Sequence, residues 1–414
     1  MLDFRESRIV PTGMCVSHVA IAKGLAAAKF GTPIKSAECR LRPRTYIRAV
    51  LQLVSASTND ITQRVFLNMF LKNAWYVAAW DHEITRELQQ IMVLGEKICV
   101  FRSESGDLVA LEDACPHRKL PLSKGRIKGD TVECGYHGLT FNCVGQCVWA
   151  PGASGIPSNA KVHAYPLHEK YGLVWIWMGN PALADVSDIF EIENYDSPDW
   201  GINRGAAMEL DCNYLLMCDN LLDPTHVAWV HQSSFAADAT KDTPLRIKKT
   251  DDGVIVHRWM MDHEPAPFYK KVVEFEGNCD RLQHYEVRYP SHALIRAVFT
   301  PAGTGGPDGP LHENTFIMDS YNFMTPTTEG QTRYYWFQLR NIRPEDEALS
   351  QMMSDDVQHA FEEDRAVLNE VQKGMANKAS PHIDLPIDGG QLRFRRQLQA
   401  MINEEREVDQ QMAE

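Results

Sequence analysis

Cys115-Pro116-His117-Arg118 and Cys134-Gly135-Tyr136-His137-Gly138, with sixteen residues between His117 and Cys134, are the stretch that decides how this chain is read. Each segment offers one thiolate and one imidazole, one residue apart in the first and two in the second. Pro121, Gly125 and Gly129 lie between them, the residue types of tight turns. Two thiols and two imidazoles on short loops are a ligand set for a metal centre.

Two centres compete for that set. Zinc held by two Cys and two His usually draws on Cys-x2–4-Cys and His-x3–5-His pairs. Here each loop mixes the two ligand types. That arrangement suits a Rieske 2Fe-2S cluster, in which two Cys hold one iron and two His the other. Neutral imidazole in place of anionic thiolate raises the reduction potential, so the cluster accepts electrons from a low-potential donor. Cys115, His117, Cys134 and His137 are the expected cluster ligands. Arg118 and Tyr136 stand beside them as groups that tune it.

Outward from the cluster the pattern is short strands and turns. Ile98–Phe101 and Leu108–Leu111 flank Ser105-Gly106-Asp107, which reads as a hairpin. Gly172–Trp177 is another strong strand, and Gly179-Asn180-Pro181 closes a small all-β domain over 69–180. A polar connector spans 182–205. Residues 209–231 read as mostly helical, and strands follow at 254–260, 285–289, 294–300, 314–323 and 332–340. A long helix over 344–373 opens on Pro344-Glu345-Asp346-Glu347, with its acids at the positive end. A last amphipathic helix covers about 390–410. Consecutive strands bracketed by helices predict an α+β catalytic domain over 181–414, an antiparallel sheet with helices on one face.

A second metal set lies in Asn220-Leu-Leu-Asp223-Pro-Thr-His226-Val-Ala-Trp-Val-His231. Five residues turn an ideal helix by about 500°, so the two imidazoles diverge by about 140°. They converge on one metal only if the helix ends or bulges, which Pro224 favours. Iron that binds both substrate and O2 needs vacant positions, and two His with one carboxylate leave three. The carboxylate is expected in Phe361-Glu362-Glu363-Asp364-Arg365 of the long helix, and spacing leaves the three acids undistinguished.

Bulk properties bound the rest. The chain has 414 residues, 44% hydrophobic and 23% charged, with a net charge of −13. That charge argues against nucleic acid or an anionic membrane as partner. No apolar run of about 18 residues is present, so no membrane-spanning helix is expected. Ten cysteines without a secretory signal point to a reducing cytoplasm. Residues 1–68 stand apart, with ten Lys and Arg against four acids and no sustained period. A transit-like leader, a disordered arm and an upstream start codon compete there, and the abrupt onset at Met69-Phe-Leu-Lys-Asn-Ala-Trp-Tyr favours a start at Met69.

Together the motifs resemble the oxygenase components of Rieske non-haem iron oxygenases, over about residues 69–410. Within that family the chain is similar to the group of vanillate O-demethylase and dicamba monooxygenase. The likeness rests on Asn73-Ala-Trp-Tyr-Val-Ala78, Cys115–Arg118, Tyr136-His-Gly138, Asp211-Cys-Asn-Tyr214 and Asp219–His226. It implies a helix-grip catalytic sheet, a mononuclear Fe(II) on His226, His231 and Asp364, and Asn220 close to that iron. It implies that Asp223 links His226 to His137 of a neighbouring subunit in a head-to-tail homotrimer. It also implies a separate reductase or ferredoxin that brings electrons from NAD(P)H.

The reaction so implied uses O2 to O-demethylate a methoxylated aromatic acid such as vanillate, releasing formaldehyde. Ring or methyl hydroxylation of another aromatic acid or sulfonate is the alternative. A pure electron-transfer Rieske protein is a third reading, against which the second ligand set speaks. Asn322 and Asp355 stand where dicamba monooxygenase has a pocket histidine and tryptophan, so dicamba is not the expected substrate. Arg296, on the strand 294–300, is the expected cation for a substrate carboxylate, with Asn322 as a second pocket residue.

Overall fold

The computed structural model describes residues 70–152, 155–237, 243–307, 310–377 and 379–413. The leader expected over 1–68, and the start at Met69, lie outside the described residues.

The first ten strands are β1 (Trp75–Trp80), β2 (Gln89–Val93), β3 (Glu96–Arg102), β4 (Leu108–Glu112), β5 (Arg126–Lys128), β6 (Thr131–Glu133), β7 (Thr140–Asn142), β8 (Cys147–Trp149), β9 (Leu167–Lys170) and β10 (Leu173–Trp177). They form three antiparallel sheets, ordered β1-β10-β9, β2-β3-β4 and β5-β6-β7-β8. The expected hairpin is β3–β4, with Ile98 opposite Glu112 and Arg102 opposite Leu108. Gly106 turns it at φ +92°, a conformation that costs glycine nothing.

Eight further strands are β11 (Gly201–Arg204), β12 (Met208–Leu210), β13 (Arg246–Lys249), β14 (Gly253–His263), β15 (Cys279–Arg288), β16 (His292–Pro301), β17 (Phe316–Thr328) and β18 (Gln331–Arg340). They make one antiparallel sheet in the order β11-β18-β17-β16-β15-β14-β13, with β12 also paired to β18. All five expected strands are present. β15 begins six residues earlier than its apolar run, because Asp280, Arg281 and Gln283 hide the pattern although all are buried. β11, β12 and β13 are not foreseen, and β11 lies inside the stretch read as a polar connector.

Among the described residues the α-helices are α1 (Tyr214–Leu221), α2 (Val227–Val230), α3 (Pro267–Lys270), α4 (Glu347–Gly374) and α5 (Gly389–Ala413). The helix expected over 209–231 is therefore two, with residues 208–210 in a strand. Asn213 caps α1 by accepting from the Leu215 N–H, and Pro224 lies just beyond its end. Asp346 caps α4 through the Leu349 N–H.

Strand alternation sorts the large sheet into two faces. Met318 and Met324 of β17 and Tyr334 and Trp336 of β18 point toward α1, α4 and α5. Tyr321, Phe323, Tyr335, Phe337 and Leu339 point the other way, onto Trp75, Val77, Trp175 and Trp177 of β1 and β10. Each fully buried ring there contributes about 1.5–3 kcal/mol. Hydrogen bonds stitch the seam. His292 Nε2 donates to Trp75 O at 3.0 Å, Thr325 Oγ1 to Val77 O at 2.7 Å, and the Tyr335 hydroxyl to Ala78 O at 2.8 Å. Among the described residues no helix is long and apolar enough to cross a membrane.

Candidate metal centres

The two cluster loops are built alike. The Cys115 N–H donates to Leu120 O at 2.9 Å, and the Lys119 N–H returns to Cys115 O at 2.8 Å. The Cys134 N–H donates to Leu139 O at 2.8 Å, and the Gly138 N–H returns to Cys134 O at 3.0 Å. Both loops need a left-handed residue at the same place, filled by Lys119 (φ +59°) in one and Gly138 (φ +78°) in the other. Asp113 braces the first loop by accepting from Ser123 N and Oγ, each at 2.7 Å.

The loops bring the four expected ligands together with a clear polarity. Cys115 and Cys134 are buried, whereas His117 and His137 are exposed, their ring centroids 4.6 Å apart. Burial pushes the Cys115 thiol up, while the His117 and Arg118 backbone N–H groups pull it back down and nearby Cys134 adds to the rise. N–H groups aimed at sulfur favour the thiolate that iron requires. A buried sulfur end and an accessible imidazole end suit a cluster that passes electrons outward. Tyr136 is exposed with its ring 3.9 Å from that of His137, and Arg118 is exposed.

The second set assembles from α1, the turn after it, α2 and α4. His226 and His231 flank the single turn of α2, whose helical backbone ends at His231 (φ −101°, ψ 44°), while Pro224 precedes both and separates α2 from α1. His226 Nδ1 donates to the carbonyl oxygen of Asp223, and His231 Nδ1 to Glu363 Oε2 at 2.8 Å. A carbonyl oxygen only accepts, so His226 carries its proton on Nδ1 and its Nε2 lone pair is free. Both Nε2 atoms face Asp364 Oδ1, at 3.6 Å from His226 and 3.3 Å from His231. One ligand atom from each of the three lies within 4.8 Å of the others. Burial lowers the His231 pKa, but Asp364 and then Glu363 outweigh it and hold it above the ordinary value. Two free imidazole nitrogens and a buried carboxylate fit Fe(II) with open positions.

The three adjacent acids take three different places. Asp364 is 2% exposed and on the buried stripe Leu349, Met353, Val357, Ala360, Asp364, Leu368. Glu363 holds His231, and Glu362 pairs with Arg365. That stripe is the signal that separates them, since Asp364 alone continues its three- and four-residue steps. Asn220 is buried, and its Nδ2 donates to Asp364 Oδ1 at 3.0 Å. Its own Oδ1 has no partner among the described residues.

Several expectations need correction. The Asp223 carboxylate does not hold the His226 ring. It accepts from the Thr225 N–H at 2.7 Å and from the Thr225 hydroxyl, and the main-chain oxygen of Asp223 takes His226 instead. Arg296 does not serve the pocket. On β16 it shares the face of Leu294, away from the helices, and its guanidinium is bound to Asp319 Oδ1 and Oδ2 at 2.7 Å each and to Glu193 at 3.1 Å. Asn322 lies on the helix-facing side but behind the cavity wall. It donates to Ser320 O at 2.8 Å and accepts from the Tyr334 hydroxyl at 2.6 Å. Asp355 is exposed and accepts from Gln351 at 2.8 Å, while Val357 and Ala360 of the same helix reach the cavity.

That cavity, about 80 Å³, abuts the trio. Its aliphatic and aromatic lining includes Phe235, Tyr269, Ile295, Met318 and Phe361, with polar groups from Ser320, Gln338 and Arg281. Arg281 is the residue that the sequence pattern missed, because the polar first half of β15 does not read as a strand.

Comparison with known proteins agrees with this geometry. Residues 74–166 match the Rieske [2Fe-2S] domain, and residues 210–404 match the vanillate O-demethylase oxygenase C-terminal domain. The chain is 38% identical over 327 residues to the iron-sulfur subunit of a toluene-4-sulfonate monooxygenase system from Comamonas testosteroni, covering 78% of this chain and 94% of the relative. It is 34% identical to a vanillate O-demethylase oxygenase subunit from a Pseudomonas species, covering 82% and 97%. Among solved structures it resembles dicamba monooxygenase bound to 3,6-dichlorosalicylic acid, with a TM-score of 0.74, 28% identity and coverage of 81% and 98%. A Rieske ligand set, a two-histidine, one-carboxylate trio in which His231 and Asp364 are buried, and relatives matched over nearly their whole length lead to one conclusion: the chain belongs to the Rieske non-haem iron monooxygenases, as an oxygenase component with a [2Fe-2S] cluster and a mononuclear iron.

Proposed function

We propose that this oxygenase component O-demethylates a methoxylated single-ring aromatic acid such as vanillate. One O2, two electrons and two protons convert the methyl ether to a phenol, formaldehyde and water. The observation that carries the reading is the small, largely apolar cavity set against His226, His231 and Asp364. At this size it holds several waters, and a ring that enters by spreading the apolar walls presents a substituent to the metal side. The iron pair supplies electrons and O2 activation when bound. Around it, Glu363 and the Asp223 carbonyl orient the imidazoles, Asn220 steadies Asp364, and the aromatic lining excludes water.

Further parts of the proposal rest on the family resemblance. The domains are 69–180 and 181–414, and the electron donor is a separate reductase or ferredoxin fed by NAD(P)H. The assembly is a homotrimer in which the Asp223 carboxylate bridges to His137 of the next chain. The exposure of His137 supports that bridge.

A second reading, hydroxylation of a ring methyl on an arenesulfonate, is favoured by the 38% identity to a toluene-4-sulfonate system. It oxidises the same kind of C–H bond and differs in the atom that carries the methyl group. The test is turnover with reductase and NADH on a panel of methoxybenzoates and methylarenesulfonates. Formaldehyde from the former is the expected product. A benzylic alcohol from the latter, with no formaldehyde from any methoxybenzoate, replaces the first reading with the second.

A further inference from the structure

Arg281 is 2% exposed and lines the cavity beside the iron trio. It sits on β15 among odd-numbered residues that face the helices, as do Cys279 and Val287. Its hydrogen bonding is poor for so buried a cation. Nη1 reaches only Phe235 O, at 3.4 Å, and Nε has no partner among the described residues. The guanidinium lies 4.8 Å from the Tyr269 ring centroid and 4.9 Å from that of Phe299, faces that hold its plane but do not neutralise it.

The neighbouring carboxylate is committed elsewhere. Asp280 points to the opposite face and accepts from the N–H groups of Asp262, Gly303 and Gly305 at 2.8, 2.8 and 2.9 Å. Other buried arginines of the same sheet do not line the cavity, and Arg340 of β18, whose Nη2 donates to Arg343 O and Asp346 O, also leaves Nε and Nη1 without a partner among the described residues. Arg296 has Asp319 and Glu193, and Arg258 donates to Gln283 Oε1, Thr243 O and Pro224 O. Among the described residues no carboxylate is bonded to this guanidinium; a buried cation so placed is costly, and an anion arriving in the cavity removes that cost.

We propose that Arg281 is the specificity residue of the cavity and anchors an anionic head group, carboxylate or sulfonate, on the ring to be oxidised. This rests on the oxygenase reading above. The planar guanidinium matches two oxygens of either anion at once. Ser320 and Gln338 are the other polar side chains of the same cavity. They lie in the cross-strand row Tyr285–Ile295–Ser320–Gln338, four residues along β15 from Arg281, or about 13 Å.

The test is calorimetric titration of the anaerobic full-length holoenzyme, so that binding is read without turnover. The probes are 4-methylbenzoate, 4-methylbenzenesulfonate and the neutral isosteres 4-methylbenzamide and 4-methylbenzenesulfonamide. At least one anion binds tenfold or more tighter than its amide, and the acid with the larger gap identifies the head group. Arg281→Met, loaded with its full iron, closes the gap while leaving amide affinity unchanged. Arg281→Lys keeps the charge but loses the fork, and narrows the gap several-fold. No preference for either anion in the wild type overturns the proposal, as does a gap unchanged in Arg281→Lys or in iron-loaded Arg281→Met. Product assays are separate. Anion preference with no methyl oxidation of any probe defeats the function reading and leaves Arg281's role standing. Equal kcat/KM for acid and amide in wild type and Arg281→Met defeats Arg281's role and leaves the oxidation standing.

Discussion

The two metal regions are built in opposite ways. The cluster ligands lie within residues 115–137, on twin loops that close on themselves through their own backbone. The mononuclear trio runs from His226 to Asp364 and exists only because α4 packs beside α1 and the turn that follows it. The first set leaves its imidazoles at the surface, and the second is buried beside a cavity. A centre that exchanges electrons with another molecule needs an accessible edge. A centre that must bind substrate and O2 away from bulk water needs walls, and walls require distant parts of the chain.

If the regions are this independent, each can be emptied alone, and that is the largest effect expected. Cys134→Ser should abolish the brown-red colour and the Rieske EPR signal while retaining one iron per chain. Asp364→Ala should do the reverse, leaving two irons and a normal cluster spectrum. Both should lower turnover to background. Metal analysis with EPR checks this, and loss of all three irons from either variant would contradict the separation.

The regions meet at a seam, and the next effect tests it. Burial holds the His292 pKa down to about 4 against an ordinary 6.5, where the ring bonds Trp75 O. Between those values the unfolded chain takes up a proton that the folded chain refuses. Stability is therefore full above about pH 6.5, falls as pH drops, and levels off below 4, a loss on the order of 3 kcal/mol. His292→Gln should flatten the dependence of the thermal midpoint over that interval. An unchanged slope would show that His292 does not drive it.

A smaller effect separates the two iron histidines. His231 is oriented by a side chain and His226 by a main-chain oxygen. Glu363→Gln should weaken Fe(II) binding about 10- to 100-fold. Asp223→Asn should leave it unchanged, since Asn still accepts from the Thr225 N–H and the carbonyl stays. If the proposed bridge to the next chain operates, that same variant keeps both metal sites yet loses single-turnover reoxidation of the reduced cluster. Fe(II) titration followed by rapid mixing with O2 reads both quantities.

The smallest effect compares the twin loops. Gly138→Ala places a Cβ at φ +78° and 3.2 Å from Trp149, and should cost about 1–2 kcal/mol. Lys119→Gly relieves the matching strain in the other loop and should be neutral or slightly stabilising. Denaturation followed through the visible absorbance of the cluster measures both. A loss of stability in Lys119→Gly as large as that in Gly138→Ala would show that the two left-handed positions are not equivalent.

What was legible from the residues alone follows the same division. Cys115, His117, Cys134 and His137 announce a cluster because local loops bring local ligands together, and spacing along the chain then stands in for spacing in space. The convergence of His226 and His231 was not legible in the expected way, since Pro224 precedes both and an unbroken turn of α2 lies between them. Asp364 was half-legible. The buried stripe of α4 singles it out, but three consecutive acids obscure that stripe until the helix has a core to face. Arg296 stood out on an expected strand, whereas Arg281 did not, because the polar first half of β15 does not read as a strand. Only sheet register, which sends Arg296 to Asp319 and Glu193 and Arg281 into the cavity, decides which of the two lines it. Ligand type and loop chemistry are local properties of sequence. The face of a sheet on which a charge is buried, and whether a counter-charge awaits it there, are properties of packing between strands far apart in the chain.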